Sequence, residues 1–238
     1  HNYCASTAHA TLHANEPVHA HARALPNYYL RQHVSDGQPP RGEDWSTIVL
    51  QEQSQAPALP QIEPEYAASK TACAKLAVDA HVHNGARGIV LLQTWGRRDG
   101  DLESIELCPS FVAMQARLSA GYESLADEAR AALRAQQPTA AIDVRGAPAG
   151  VAFAELEKAD PTLFRSLFAA DGAHPSVAGS YLAACVVACT IHHELQPHRL
   201  TRFVPPELSK EVAERLRGAA HRALSKSACP EGGHLTHP

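Results

Sequence analysis

The chain has 238 residues, with 21 Lys and Arg against 25 Asp and Glu, which gives a formal net charge of −4. This length suits one α/β domain with a substantial core. The slightly acidic balance and the absence of a basic stripe argue against a nucleic-acid partner. No apolar run approaches the ~20 residues that a membrane-spanning helix needs. We therefore expect neither nucleic-acid binding nor a membrane span.

The first 24 residues are rich in Ala and His and show little periodicity. This composition predicts a poorly patterned segment, residues 1–24, that packs weakly against the core. It precedes a single domain, residues 25–238. A chain that begins with His1 instead of Met is expected to be a processed product or a fragment, so a removed signal peptide stays open. The compartment also stays open, with a secreted or periplasmic location slightly favoured.

Helical and strand patterns alternate along the rest of the chain. A short helix is predicted around residues 29–34, and the apolar run STIVLQ (Ser46–Gln51) predicts a buried strand. The segment EPEYAASKTACAKLAVDAHVHNG that follows has apolar residues at helical spacing. It predicts a helix that stops at Gly85. The run RGIVLLQTW predicts a second buried strand, and we expect residues 48–51 and 89–93 to be adjacent or near-adjacent buried strands of a parallel sheet.

The C-terminal half continues this alternation. A long amphipathic helix (SFVAMQARLSAGYESLADEARAAL) precedes a third strand, AAIDVRG. Helices are then predicted near Phe153–Lys158, from Pro175 to Glu194, and after Pro205 or Pro206. The pattern indicates an α/β fold with a parallel sheet covered on both faces.

Two predicted strands are followed by side chains that hydrogen-bond without carrying charge. Gln51, Gln53, Ser54 and Gln55 follow the first strand, and Trp95 follows the second. Ligands bind beyond the carboxyl ends of parallel strands, and neutral donors suit a developing oxyanion or sugar hydroxyls. A structural alternative stays open for each group. The polar residues could serve only to form the turn, and Trp95 could be an aromatic side chain at the edge of the core.

A second candidate is the string DGAHPS, which spaces Asp171 three residues before His174. We expect Pro175 to occupy the first helical position. The Asp171 carboxylate would then orient the His174 imidazole and stabilise its charged form, as in a general base and its orienting acid. The alternative is a helix-capping turn in which Asp171 accepts hydrogen bonds from backbone amides and His174 is merely exposed.

Cysteine and histidine spacing gives no metal signature. The six cysteines show no CxxC spacing, and Cys185 and Cys189 are expected as buried thiols on one helix. A Cys4–Cys229 disulfide stays open. The pair His81 and His83 would point to different faces of a helix, so no tetrahedral ligand set is complete. We expect no metal and no other cofactor.

The string DGAHPSVAGSYLAA resembles the last block of SGNH (GDSL-like) hydrolases, and DWSTIVLQEQSQAP resembles a branch of them that carries an L-Q-E-Q-S string. The similarity covers roughly residues 25–224. It implies a flavodoxin-like three-layer α/β/α fold and hydrolysis of ester bonds without metal, often on acylated carbohydrates. By position, His174 would be the general base and Asp171 its orienting acid. Gln53 and Ser54 would lie where the family places oxyanion-hole or substrate contacts.

The chain also departs from this family. No Gly-Asp-Ser block, which carries the family's nucleophile at the end of the first strand, is present, and that strand itself is not found. The second block reads Pro26-Asn27-Tyr28 where the family usually supplies a glycine. Three explanations stay open: an incomplete start, a non-catalytic relative that binds a carbohydrate or ester, or another nucleophile such as Ser54 or Ser6. The expected partner is a small-molecule or carbohydrate ester, and the oligomeric state stays open.

Overall fold

A parallel three-stranded sheet flanked by helices forms the centre of the computed structural model, which describes residues 7–10, 18–39, 42–193, 195–202 and 204–228. The strands are β1 (Thr7–Ala10), β2 (Val18–His21), β3 (Thr47–Leu50), β4 (Gly88–Leu92) and β5 (Asp143–Ala147). The helices are α1 (Leu30–Ser35), α2 (Pro64–Asn84), α3 (Phe111–Gln136), α4 (Ala149–Ala159), α5 (Pro161–Ser166), α6 (Val177–Ile191) and α7 (Lys210–Ala228).

The sheet has the order β3-β4-β5, and all its strands run parallel. Ile48 pairs with Ile89, and Ile89 pairs with Val144. Helices α2 and α3 cover one face, while α6, backed by α4 and α7, covers β4 and β5 on the other. The predicted fold class is therefore confirmed: the chain is an α/β protein with a flavodoxin-like three-layer α/β/α arrangement.

Strand β4 supplies both layers of the core, because successive side chains of a strand point to opposite faces. Ile89 and Leu91 pack in the cluster formed with α2 and α3. Val90 packs in the cluster formed with α4, α6 and α7. This two-sided burial explains why the run GIVLL is continuously apolar and why the sequence identified it as a central strand.

Strand β3 differs from its prediction. It is adjacent and parallel to β4 as expected, but only Leu50 of its four residues is buried. Val49 pairs with Val90 in the ladder, yet 41% of Val49 is exposed against 3% of Val90. The reason is position: β3 is an edge strand in the described sheet, and the helices of the second layer lie over β4 and β5.

Helix boundaries follow their capping residues. Gly85 ends α2 in the left-handed conformation with a φ of 67°, as predicted. The prediction that Pro175 opens α6 is wrong, because Ser176 is its N-cap and accepts hydrogen bonds from Ala178 and Gly179. The last helix also begins later than predicted, at Lys210, after Ser209.

The N-terminal segment contains an element that the sequence analysis missed. Strands β1 and β2 form an antiparallel pair with their own register, in which His9 is opposite His19. Alternating Ala and His have the period of two that is typical of a strand, but were interpreted as composition. The described side chains of residues 20–24 are exposed. Residues 1–6, including Ser6, and residues 11–17 lie outside the described part.

The described cysteines are all buried free thiols: Cys73, Cys108, Cys185 and Cys189. Burial raises the pKa of Cys73 to about 12, so this thiol stays protonated and packs as a small apolar group. Cys4 and Cys229, the candidate disulfide pair, lie outside the described residues. No described helix combines the length and the hydropathy that crossing a bilayer requires.

Candidate functional site

The turn between α5 and α6 brings Asp171 and His174 into direct contact. The Oδ2 atom of Asp171 lies 2.6 Å from Nδ1 of His174. Its Oδ1 atom accepts hydrogen bonds of 2.9 Å from the backbone amides of Ala173 and His174. The predicted hydrogen bond is therefore present, and the same carboxylate also accepts the backbone hydrogen bonds that close the turn.

The protonation of this pair follows from its contacts. The pKa of Asp171 is lowered to about 2, first by the hydrogen bond from the Ala173 amide and then by the His174 ring. An ionised carboxylate only accepts, so the His174 Nδ1 carries the hydrogen that it donates. The remaining ring nitrogen, Nε2, is then free to accept a proton, and 82% of the His174 side chain is exposed.

Trp95 and Arg98, which follow β4, hold this turn through backbone contacts. The indole Nε1 of Trp95 donates to the carbonyl of Ala173 at 3.1 Å. The Arg98 amide donates to the carbonyl of Gly172 at 2.8 Å. Beneath them, the Trp95 ring stacks on Phe153, with 4.6 Å between ring centroids. The Trp95 ring therefore belongs to the edge of the core and also positions the turn that carries His174.

Backbone contacts on the α5 side complete the support. The carbonyl of His174 accepts from the Ala169 amide at 2.8 Å, and the amide of Ser176 donates to the carbonyl of Leu167 at 2.8 Å. The Ser176 hydroxyl donates to the carbonyl of Ser166 at 2.6 Å. These bonds lie on both sides of His174, so the imidazole is presented from a fixed backbone.

The loop after β3 uses its polar side chains differently. The Gln53 Oε1 atom accepts from the amides of Gln55 at 2.7 Å and Ala56 at 3.1 Å, so it caps the one-turn 3₁₀ helix Ala56–Ala58. Gln51 and Ser54 are exposed. Within the described part of the chain, no hydrogen bond joins the Ser54 hydroxyl or any other hydroxyl to Nε2 of His174. The structure therefore bonds Trp95 to the turn that carries Asp171 and His174, and within the described residues no hydrogen bond joins Gln51, Gln53 or Ser54 to that pair.

A polar cluster nevertheless connects the two sides of the rim. The Gln55 Nε2 atom donates to Oδ2 of the buried Asp101 at 2.7 Å, and Arg97 lies 2.5 Å from Oδ1 of the same carboxylate. Arg98, three residues before Asp101, donates its backbone amide to the turn that carries His174. The segment 98–101 thus lies between the β3 loop and the His174 turn and bonds to both.

Glu52 is a residue that the sequence analysis did not single out. It is buried, and its Oε1 atom accepts from the amide of Leu30 at 3.0 Å and from that of Gln53 at 2.7 Å. Its own amide donates to the Tyr122 hydroxyl at 3.3 Å. Burial raises the pKa of this carboxyl. The sequence signal that could have identified Glu52 is its position between Gln51 and Gln53, directly after an apolar strand.

In the part of the chain that is described, no three His, Cys, Asp or Glu side chains are arranged to hold a metal ion. No family model matches the chain, and no curated protein matches it. A solved structure of a DUF4886 family protein from Bacteroides uniformis is similar in fold, with a TM-score of 0.60. The similarity covers 88% of this chain and 70% of that one, at 15% sequence identity, and at this identity it shows a shared fold alone.

Proposed function

We propose that the chain is an SGNH-type hydrolase of acyl esters, including those on carbohydrates, in which His174 is the general base. The observation that carries this proposal is the 2.6 Å contact between Asp171 and His174 beside the carboxyl end of the sheet. An ionised carboxylate on Nδ1 orients the ring and stabilises the imidazolium that forms when Nε2 takes a proton.

The chemistry proposed for the described residues is proton transfer. Nε2 of His174 takes a proton from an attacking hydroxyl, which belongs either to a serine or to water, and later returns it to the leaving alcohol. No described serine is bonded to Nε2, so the described side chains support activation of water most directly. General-base assistance contributes about 10²–10⁴-fold, which predicts slow turnover of short acyl esters.

A second candidate is a non-catalytic relative that binds a carbohydrate or an ester at the same rim. Two observations favour it: the Ser54 hydroxyl is not bonded to the imidazole, and the Gln53 oxygen already caps its own loop. An exposed His174 with Trp95 and uncharged side chains nearby would then contact the ligand without reacting.

Comparing rates of nitrophenyl acetate hydrolysis tests the proposal. Any surface imidazole attacks this ester slowly, so the control is His83→Ala, a partly exposed histidine near the end of α2. We expect His174→Ala to lower the rate at least tenfold and His83→Ala to leave it unchanged. Equal rates for both variants would contradict the proposal and favour the binding protein.

The nucleophile is tested in the same assay with Ser54→Ala. Turnover that is robust in the unaltered chain and lost in Ser54→Ala would assign the attacking hydroxyl to Ser54. Turnover that survives in Ser54→Ala and is lost in His174→Ala would assign the attack to water or to a serine outside the described residues.

A further inference from the structure

A cavity of about 290 Å³ lies at the amino-terminal end of the sheet, on the face that α6 covers. Strands β3, β4 and β5 form its floor, and the last turn of α6 forms one wall. Its polar lining includes Ser46, Thr47, Arg87, Asp143, Arg145 and His193. The five residues of β4, at about 3.3 Å each, separate this cavity from the loop that carries Trp95. The cavity is therefore distinct from the site of Asp171 and His174.

Gly88 opens the floor of this cavity. It is the first residue of β4 and pairs with Thr47 of β3 on one side and with Asp143 of β5 on the other. A Cβ atom at Gly88 would lie 2.7 Å from Oγ1 of Thr47, so this hydroxyl lies over the space that the glycine leaves. One role of a glycine in a strand is to let a ligand approach the backbone closely. The Thr47 hydroxyl is thus placed at the floor, where a ligand would meet it.

Three side chains of the lining that can donate hydrogen bonds have no partner within the described part of the chain. They are the hydroxyls of Ser46 and Thr47 and the guanidinium of Arg87. Their backbone is nevertheless fixed, because the amides of Arg87 and Gly88 donate to the carbonyl of Ser46 at 3.1 and 3.0 Å. Donors that are held in place without an internal partner suit a ligand that brings acceptor oxygens.

The charges of the lining favour an anion. Arg145 forms an ion pair with Asp143, the one acidic residue among the described lining residues. It also donates to the carbonyl of Thr190 at 3.3 Å, in the last turn of α6. Arg145 therefore compensates both groups that would repel an anion, a carboxylate and a carbonyl at a helix C-terminus. The guanidinium of Arg87 remains as a positive charge without a counter-charge in the cavity.

We propose that this cavity binds the phosphate group of a small phosphate monoester. A terminal phosphate offers three strong acceptor oxygens, which matches the three unpartnered donors, and guanidinium groups bind phosphate in a bidentate manner. Val90 and Ile191 also line the cavity, so an organic group beside the phosphate would find apolar contacts. The volume lies near the lower end of the range for small-molecule sites, about 300 Å³, which limits the ligand to a compact one.

Calorimetry with phenyl phosphate at low ionic strength tests the proposal. We expect binding, and we expect Arg87→Gln to weaken it about tenfold, because a charge-assisted hydrogen bond is lost. Arg87 is exposed, so this variant should fold like the unaltered chain. The matched control is Arg134→Gln, since Arg134 is also exposed, on α3, and has no side-chain partner among the described residues. It should leave binding unchanged.

Two results of this experiment would overturn the proposal. One is the absence of binding at millimolar phenyl phosphate. The other is equal weakening in Arg87→Gln and Arg134→Gln, which would show attraction to surface charge in general and no defined site.

Two further variants locate the ligand on the cavity floor. Thr47→Val keeps a β-branched side chain and removes the hydroxyl, so we expect phenyl phosphate to bind about fivefold more weakly. Gly88→Ala adds a Cβ atom where Thr47 now lies, so the Thr47 side chain must rotate, and we expect binding to weaken again. Unchanged binding in both variants, with unchanged urea denaturation midpoints, would place the ligand elsewhere and overturn the proposal.

The chemistry of the ligand is tested with compounds that share the ring or the anion. Benzoate should bind about tenfold more weakly than phenyl phosphate, because a carboxylate leaves one donor unmatched, and neutral benzyl alcohol should not bind measurably. Inorganic phosphate should bind more weakly than phenyl phosphate, because it lacks the organic group. Benzoate binding as tight as that of phenyl phosphate would assign the cavity to carboxylates, and equal binding of inorganic phosphate would exclude a monoester. Either result would overturn the proposal.

Discussion

The turn that carries His174 and the loop that carries Ser54 flank the same segment, but they use their polar groups in different ways. In the turn, Asp171 accepts three hydrogen bonds, one of them from the imidazole, and Trp95 and Arg98 hold the backbone from below. In the loop, Gln53 caps its own backbone and the Ser54 hydroxyl has no hydrogen bond within the described residues.

This difference separates the interactions that hold the rim together from those that could do chemistry there. The turn fixes one reactive group, His174, through a backbone that neighbouring elements support. The loop is also anchored, through Glu52 and Gln55, but its anchors leave Ser54 at the surface. A hydrolase needs both groups in one place, so experiments on the two sides test different parts of the proposal.

The largest loss of stability is expected for Phe153→Ala, beneath the turn. Phe153 is fully buried and supports the Trp95 ring. Its removal leaves a cavity, so we expect a loss of about 3–5 kcal/mol in the free energy of unfolding, measured by urea denaturation. The control is Leu102→Ala, an exposed residue that should change it by less than ~0.5 kcal/mol. Similar losses for both variants would contradict the burial of Phe153 beneath Trp95.

A smaller loss is expected for Ser176→Ala, also on the turn's side. The Ser176 hydroxyl accepts from Ala178 and Gly179 at the start of α6 and donates to the carbonyl of Ser166. Replacing an N-cap serine by alanine costs about 0.5–2 kcal/mol. Ser176→Thr retains a hydroxyl and is expected to recover most of that loss in the same denaturation experiment. A Ser176→Ala variant with an unchanged free energy of unfolding would contradict the capping role.

The sequence predicted the central part of this architecture well, because burial on both faces leaves a continuous apolar pattern. Strand β4 is the example. Helix α2 was predicted in a different way, from its helical spacing and from Gly85 as its C-cap. The contact between Asp171 and His174 was predictable because it is local, spanning three residues. The position of Ser176 as N-cap was missed because Pro175 suggested an earlier helix start.

Long-range contacts were not predictable in this way. The hydrogen bond from Trp95 to Ala173 spans 78 residues, and the one from Gln55 to Asp101 spans 46. Such contacts depend on how strands and loops are stacked, which local pattern does not encode. The exposure of Val49 is a related case, since its residue type predicts burial and only its place on an edge strand explains 41% exposure.

The electrostatics of the turn can be tested by carbon-detected NMR titration of Asp171. Its pKa of about 2 lies below the ordinary 3.8, so the ionised carboxylate stabilises the folded state above about pH 4, and this contribution is lost as the pH falls towards 2. In His174→Ala we expect the pKa to rise but to stay below 3.8, because the Ala173 amide remains. In the His83→Ala control it should not move. A pKa near 3.8 in the unaltered chain would contradict the geometry of the turn.

The smallest effect on stability is expected for Ser54→Ala. Ser54 is exposed and its hydroxyl has no hydrogen bond among the described residues, so the free energy of unfolding should change by less than ~0.5 kcal/mol. This near-neutrality is what makes the variant informative, because any loss of esterase activity would then come from the hydroxyl itself. A loss of 1 kcal/mol or more would mean that Ser54 has a structural partner in solution. The loop and the turn would then be alike, because Ser54 and Ser176 would each hydrogen-bond within the fold and neither hydroxyl would be free to react.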